Sequence, residues 1–227
     1  MNAILTFRTF SRIALTSLAL GGCSDDDSND GETSTGGSSS ADTSMSFFIT
    51  SVGSGADGGN LGGLSGADGR CQMLATAVGA GSKTWHAYLS SSSVNARDRI
   101  GSGPWYNQAG ERIAESVAAL HPATGNGLSN GNPQHVLDET GMPAPGNQHD
   151  VLTGSLPDGT LSGALTCMDW TSNSAELAEQ PQVGHSDIPA NPMFSPSWNA
   201  AHVSANCSEP GLTMRGGAGR LYCFATN

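Results

Sequence analysis

The apolar positions of this chain fall in short clusters, separated by stretches rich in glycine, serine and asparagine. Ser46–Val52 is β-branched and aromatic and predicts an opening strand. Leu64–Val78 places Ala67, Cys71, Leu74 and Val78 on one stripe at helical spacing, and Gly79–Gly81 stops the run. Thr84–Leu89 alternates as a half-buried strand, with Trp85, Ala87 and Leu89 on its inner face. Val94–Ile100 reads as a short helix or turn. Trp105-Tyr106-Asn107, Gly110 and Arg112-Ile113-Ala114 read as a hairpin, and Ser116–Leu120 as a brief helical turn. Val151–Gly154 and Leu165–Thr171 are predicted strands with a Pro157-Asp158-Gly159 turn between them. His202–Cys207 and Arg220–Phe224 are expected to close the sheet. Residues 121–146 and 172–196 show no such period. Structureless loops of that length in a compact domain are commonly functional or mobile.

The amino-terminal part follows a different logic. In residues 1–22, Arg8 and Arg12 form a positive region ahead of the apolar run Ile13–Leu20. That run falls short of the about 20 residues a membrane-spanning helix needs and has the build of a secretory signal. Leu20-Gly21-Gly22-Cys23 resembles a bacterial lipobox. The resemblance implies cleavage before Cys23, lipidation of its thiol and acylation of the new terminus. Ser24 in place of an aspartate at the next position implies sorting to the cell outer membrane. Residues 23–45 then read as the lipidated cysteine and a disordered tether, because Ser24–Ser44 holds almost nothing that can bury apolar surface. A flexible coil of this length reaches about 25 Å. An EF-hand frame with Gly31 at its sixth position puts Gly37 where the bidentate carboxylate belongs, so Asp26–Glu32 is a solvated spacer.

Composition narrows the remainder, residues 46–227. The net charge of -11 repels phosphate backbones and excludes nucleic acid as a partner. Only 13% of residues are charged and 31 are glycine, which excludes long charged helices and coiled coils. Apart from Cys23 the cysteines are Cys71, Cys167, Cys207 and Cys223, an even set that in an exported domain implies two disulfides. No C-x-x-C pair is present, so zinc-finger spacing is absent. Cysteine arithmetic leaves three pairings open.

One family resemblance runs through this region. Its parts, in order, are Gly66-Ala67-Asp68-Gly69-Arg70-Cys71, Thr84–Ser90, Val151–Gly154 with Pro157-Asp158-Gly159, Cys167-Met168-Asp169-Trp170-Thr171, Cys207 and Leu221-Tyr222-Cys223-Phe224. This order resembles a lectin-like domain of unknown function found in bacterial surface lipoproteins. It is also similar to the endostatin domain of collagens XV and XVIII. Both have the C-type-lectin-like fold. The resemblance implies an α+β domain with two helices on a twisted, mainly antiparallel sheet and long loops to one side. It also implies nested bridges, Cys71–Cys223 outside Cys167–Cys207. The sequence departs from the calcium-dependent sugar binders of that fold, since Glu209-Pro210 is followed by Gly211 and Trp198-Asn199 by Ala200. The amino-terminal histidine cluster that holds zinc in endostatin has no counterpart, because no histidine precedes Ser46.

The usual catalytic signatures are missing: no G-x-S-x-G, no H-E-x-x-H, no P-loop and no G-x-G-x-x-G after a strand. The expectation is therefore not an enzyme. His149-Asp150 and His185-x-Asp187 lie in or beside the long loops and are candidate metal ligands, zinc being the ion that imidazole and carboxylate suit. The competing reading is solvated loop residues. Asp138-Glu139 is a candidate calcium or ligand contact, or a plain exposed acidic pair. Trp105 and Trp198 lie near glycine and proline turns and are the expected exposed aromatics for recognition; Trp170 packs on the Cys167–Cys207 bridge or offers a stacking platform. No cofactor is implied beyond a possible calcium or zinc ion. The reading is a lipid-anchored, non-enzymatic binding module of the cell envelope, tied to the membrane by its anchor and recognising a glycan or an envelope or extracellular protein. The rival readings are a structural envelope-assembly protein and a hydrolase sited in the long loops.

Overall fold

The strands are short because each apolar cluster is short, and two disulfides hold them in place. The computed structural model describes residues 44–123, 126–128, 132–187 and 197–227. Residues 1–43, with Cys23 and the tether expected around it, lie outside the described residues. In chain order the elements are β1 (Phe47–Ile49), α1 (Gly63–Ala77), β2 (Trp85–Ala87), β3 (Trp105–Tyr106), β4 (Arg112–Ala114), α2 (Val117–Leu120), β5 (Asp150–Leu152), α3 (Cys167–Trp170), β6 (Gln182–His185), β7 (His202–Val203), α4 (Glu209–Thr213), β8 (Gly217–Arg220) and β9 (Tyr222–Ala225). The fold is α+β.

Three sheets form. β1 and β2 flank β9, both antiparallel to it. β3 and β4 make the expected hairpin. The third sheet runs β7-β6-β5-β8 and holds one parallel pair, β5 with β8. One helix is long: α1 has 15 residues, and the others have four or five. Only α1 is therefore a counterpart in length to the two helices implied by the resemblance. α1 buries Ala67, Cys71 and Ala75, a line of small residues at i, i+4 and i+8, whereas Val78 is exposed. Small side chains let the helix lie close to β2, where Asp68 accepts the backbone N–H of Ala87 at 2.9 Å and pairs with Arg99 at 2.6 Å.

Both bridges form in the nested order. Cys71–Cys223 joins α1 to β9 with Cα atoms 5.6 Å apart. Cys167–Cys207 has a Cα separation of 5.7 Å. Both lie in one core cluster with Trp85, Trp170 and Leu152, while Phe47, Tyr88, Trp105, Trp198 and Phe224 build a second.

Several sequence expectations are corrected here. Trp105 and Trp198 are 1% and 2% exposed, not the exposed aromatics expected. Their indole N–H groups donate to the Ala225 and Leu120 carbonyls, so each ring is buried with its polar atom satisfied. Trp170 is likewise core, donating to the Ser90 carbonyl at 2.8 Å. Leu165–Thr171 is not a strand: Cys167, Met168, Asp169 and Trp170 all have positive φ, between 48° and 68°. Four L-residues in the left-handed region are costly. Tertiary contacts hold them there, the inner disulfide and Asp169 accepting the Ser92 N–H at 2.8 Å, together with the local bond of the Trp170 amide on the Thr166 carbonyl at 2.7 Å. The stretch expected as a second loop contains β6, whose neighbours supply the hydrogen bonds that its polar sequence does not advertise.

The outer bridge spans 152 residues, so Cys71→Ser is expected to cost about 2–5 kcal/mol. Urea denaturation of the oxidised protein measures this. A variant with an unchanged midpoint and slope contradicts the role given to that bridge.

Candidate metal centre

Strand register builds the centre. β5 pairs with β6 so that Asp150 stands opposite His185. β6 pairs with β7 so that His202 stands opposite Val183, two residues before His185. Directly opposite residues and residues two apart share a sheet face. Asp150, His185 and His202 therefore project from the same face. His149 joins them from the end of the Gly146–Gln148 turn, its carbonyl pinned by the N–H and hydroxyl of Ser186 at 2.9 and 3.0 Å. Gly184 allows the strand to pass here, because a Cβ at that position would lie 1.7 Å from the Trp198 carbonyl oxygen.

The Asp150 side chain is 1% exposed. Its Oδ1 lies 3.3 Å from His149 Nε2 and 3.3 Å from His185 Nε2, and its Oδ2 lies 3.5 Å from His202 Nε2. None of these contacts is a hydrogen bond. Among the described residues both carboxylate oxygens and both His185 nitrogens are buried without a hydrogen-bond partner. Buried carboxylates ordinarily have partners, and leaving one without costs several kcal/mol or more. Burial works to raise the Asp150 pKa, and the surrounding imidazoles, His185 first, overcome it and hold the carboxyl below its ordinary value. His202 is pushed above its ordinary value by Asp150, against its own partial burial.

The ring tautomers sharpen the picture. His149 Nδ1 lies 2.7 Å from the Gly146 carbonyl. A carbonyl only accepts, so Nδ1 carries a proton, and whenever the ring is neutral its Nε2 lone pair faces Asp150. A metal-bound histidine shows this pattern, with the far nitrogen anchored on a backbone carbonyl. A lone pair and a carboxylate oxygen at 3.3 Å repel unless a proton on Nε2 or a metal ion lies between them. Tetrahedral bonds of about 2.0–2.1 Å put neighbouring ligand atoms about 3.3 Å apart. The donor atoms of His149, Asp150 and His185 all lie within 4.8 Å of one another. Two imidazoles and one carboxylate suit zinc and its transition-metal neighbours rather than calcium or magnesium, which favour all-oxygen sets. His202, also donating from Nδ1 toward the Val203 carbonyl at 3.1 Å, sits on the opposite carboxylate oxygen. With its Nε2 also protonated, as the upward push from Asp150 favours, it would orient the carboxylate rather than join the set.

Three of the four candidate metal residues thus come together. Asp187 does not: its carboxylate is 3.8 Å from His149 Nδ1, on the far side of the ring. His202 was not among the sequence candidates. The only signal for it was a further histidine just past the second long loop, and strand pairing alone reveals its place. Asp138 and Glu139 are not an exposed pair. They are 6% and 3% exposed, Asp138 closing a turn on the Thr140 and Met142 amides and Glu139 accepting from the Ser51 amide and hydroxyl.

No family model matches this chain, and no curated protein matches it. The reading of the centre therefore stands on its geometry.

Gly216 packs on the His149 ring at φ 91°, and an added Cβ would meet His149 Cε1 at 2.9 Å. Gly216→Ala is expected to cost about 1–2 kcal/mol from the left-handed backbone. By displacing His149 it is also expected to weaken zinc binding about 10- to 100-fold. Gly146→Ala, where the added methyl meets open space, is the control. Thermal unfolding and zinc titration read the two effects; equal behaviour of the two variants contradicts the placement of His149.

Proposed function

We propose that this protein is an anchored binding module of the cell envelope. In this reading a domain of lectin-like type, on a lipidated tether beginning at Cys23, presents a divalent transition-metal site of the zinc class. The Leu20-Gly21-Gly22-Cys23 run and the polar stretch behind it support the anchor. The nested disulfides and the α+β architecture support the domain type. Among the described residues no helix is long and apolar enough to cross a membrane, so the anchor argument rests on the amino-terminal sequence alone.

The metal site is carried by one observation. The buried Asp150 carboxylate has no hydrogen-bond partner among the described residues while three imidazole Nε2 atoms stand 3.3–3.5 Å from it. In this reading His149 Nε2, Asp150 Oδ1 and His185 Nε2 hold the ion, and His202 steadies the carboxylate from outside. The centre lies where β5, β6 and β7 meet: Asp150, His185 and His202 stand on the sheet, and His149 stands on the turn that leads into β5.

Zinc titrated into chelator-treated full-length protein should bind one to one. Zinc at about 100 times its dissociation constant should stabilise the fold by about 2.7 kcal/mol, about 5–10 °C in Tm. Asp150→Asn and His185→Ala should each abolish that shift while remaining folded by circular dichroism. Wild-type protein that binds neither zinc, nickel nor copper at micromolar concentration contradicts the proposal.

A further inference from the structure

The chain enters the described residues at one end of α1. Ser44 Oγ accepts a hydrogen bond from Lys83 Nζ at 2.7 Å, and Met45 packs against the first core cluster. Both line a cleft with Val78 and Ala80, just past the carboxyl end of α1. Glu139 also borders this cleft, its carboxylate taken by the Ser51 amide and hydroxyl.

An uncharged surface runs back along α1 from this end. Between Arg70 and Lys83 the sequence holds no charged residue, on a chain whose net charge is -11. Met73, Thr76, Ala77 and Val78 are exposed there. Met73 also lines a second cleft, with Leu74, Leu221 and Val52 from the segment after β1. Arg70 is the charged residue at that cleft, and it is paired with Asp57 at 2.5 Å. Val52, Met73 and Val78 are 58%, 62% and 41% exposed. Contiguous apolar surface with a polar rim marks a place where something docks.

The point of entry decides what docks. In the anchored reading about 20 residues separate the acylated Cys23 from Ser44, and a coil of that length reaches about 25 Å. A domain of this size is about 40 Å across. A leash shorter than the domain is wide keeps the face at which it enters nearest the bilayer.

We propose that the exposed face of α1, together with Val52, rests on the lipid bilayer that carries the anchor. This inference rests on the anchored reading of the preceding subsection and names the surface by which the domain meets its membrane. Acyl chains are the partner that favours apolar side chains without charge, and this pose turns the acidic remainder of the surface toward water. Three large apolar side chains make a small patch. The leash makes their docking an intramolecular step at high effective concentration, so a weak contact suffices.

Met73, Met168 and Met214 are 62%, 65% and 74% exposed, so without a membrane hydrogen peroxide should convert their thioethers to sulfoxides at comparable rates. Full-length protein, acylated during export, is placed in phosphatidylcholine vesicles and treated with peroxide, and peptide mass spectrometry reads each methionine. Met73 is expected to oxidise several-fold more slowly than Met168 and Met214. Val52→Asp puts a charge at an exposed position on the same cleft. It should lift the face from the lipid and return Met73 to the rate of the other two. Equal rates in anchored wild-type protein overturn the inference and leave the anchor standing. So does a Met73 that stays slow in Val52→Asp, because the protection then comes from the fold itself. Protein without acyl chains on Cys23 overturns the anchor and this inference together.

Discussion

A carboxylate withdrawn from water must be matched by positive charge or by hydrogen-bond donors. Asp150 is the residue at which this structure has to meet that requirement. It opens β5, hydrogen-bonds to the strand-entry residue Gly216, and faces His185 across the β5–β6 ladder. Four chain segments meet at it: the turn carrying His149 just before it, β6, β7 and the approach to β8. The imidazoles of the first three surround the carboxylate at 3.3–3.5 Å. In the proposed reading one divalent ion would satisfy the His149 and His185 rings and the carboxylate together, where protons would place several charged rings side by side in a largely buried space.

The scaffold makes that convergence repeatable. The strands that frame the centre have two to four residues, too few to fix their own register. Register comes from elsewhere. The inner bridge fixes the left-handed turn at Cys167–Trp170 to Cys207, just after β7. The outer bridge fixes α1 to β9, which follows β8 directly. Trp198 closes the back of the β6 strand, its carbonyl pressed against Gly184 and its indole N–H held by the Leu120 carbonyl. The chain thus relies on covalent links and buried aromatics where longer strands would otherwise do the aligning.

The parts of the fold legible in the sequence were those with local signals. α1 was visible from the helical spacing of Ala67, Cys71 and Leu74 and its glycine stop, although Val78, placed on the same stripe, is exposed, and the β3–β4 hairpin from its aromatic and β-branched flanks around Gly110. What stayed hidden was set by distant partners. Cys167–Trp170 carries a strand-like composition and yet turns left-handed, because the disulfide and Ser92 hold it so. β6 reads as loop because Gln182 and His185 are polar, and both are polar for reasons of position: Gln182 bonds to the His202 carbonyl and His185 faces Asp150. Trp105 and Trp198 sit beside turns in sequence but fold inward, since each indole finds a carbonyl inside. For the same reason the candidate metal centre was half visible. His149, Asp150 and His185 stood out by residue type and spacing, whereas His202 enters only through the pairing of two residues of β7 with β6.

The central claim is that His149, Asp150 and His185 are ligands to one metal ion. X-ray absorption at the zinc edge of stoichiometrically loaded protein tests it most directly. The account predicts a first shell of nitrogen and oxygen alone at about 2.0–2.1 Å, with the outer scattering of two imidazoles and no sulfur. A sulfur shell at about 2.3 Å, or a shell of water oxygens without imidazole, contradicts it.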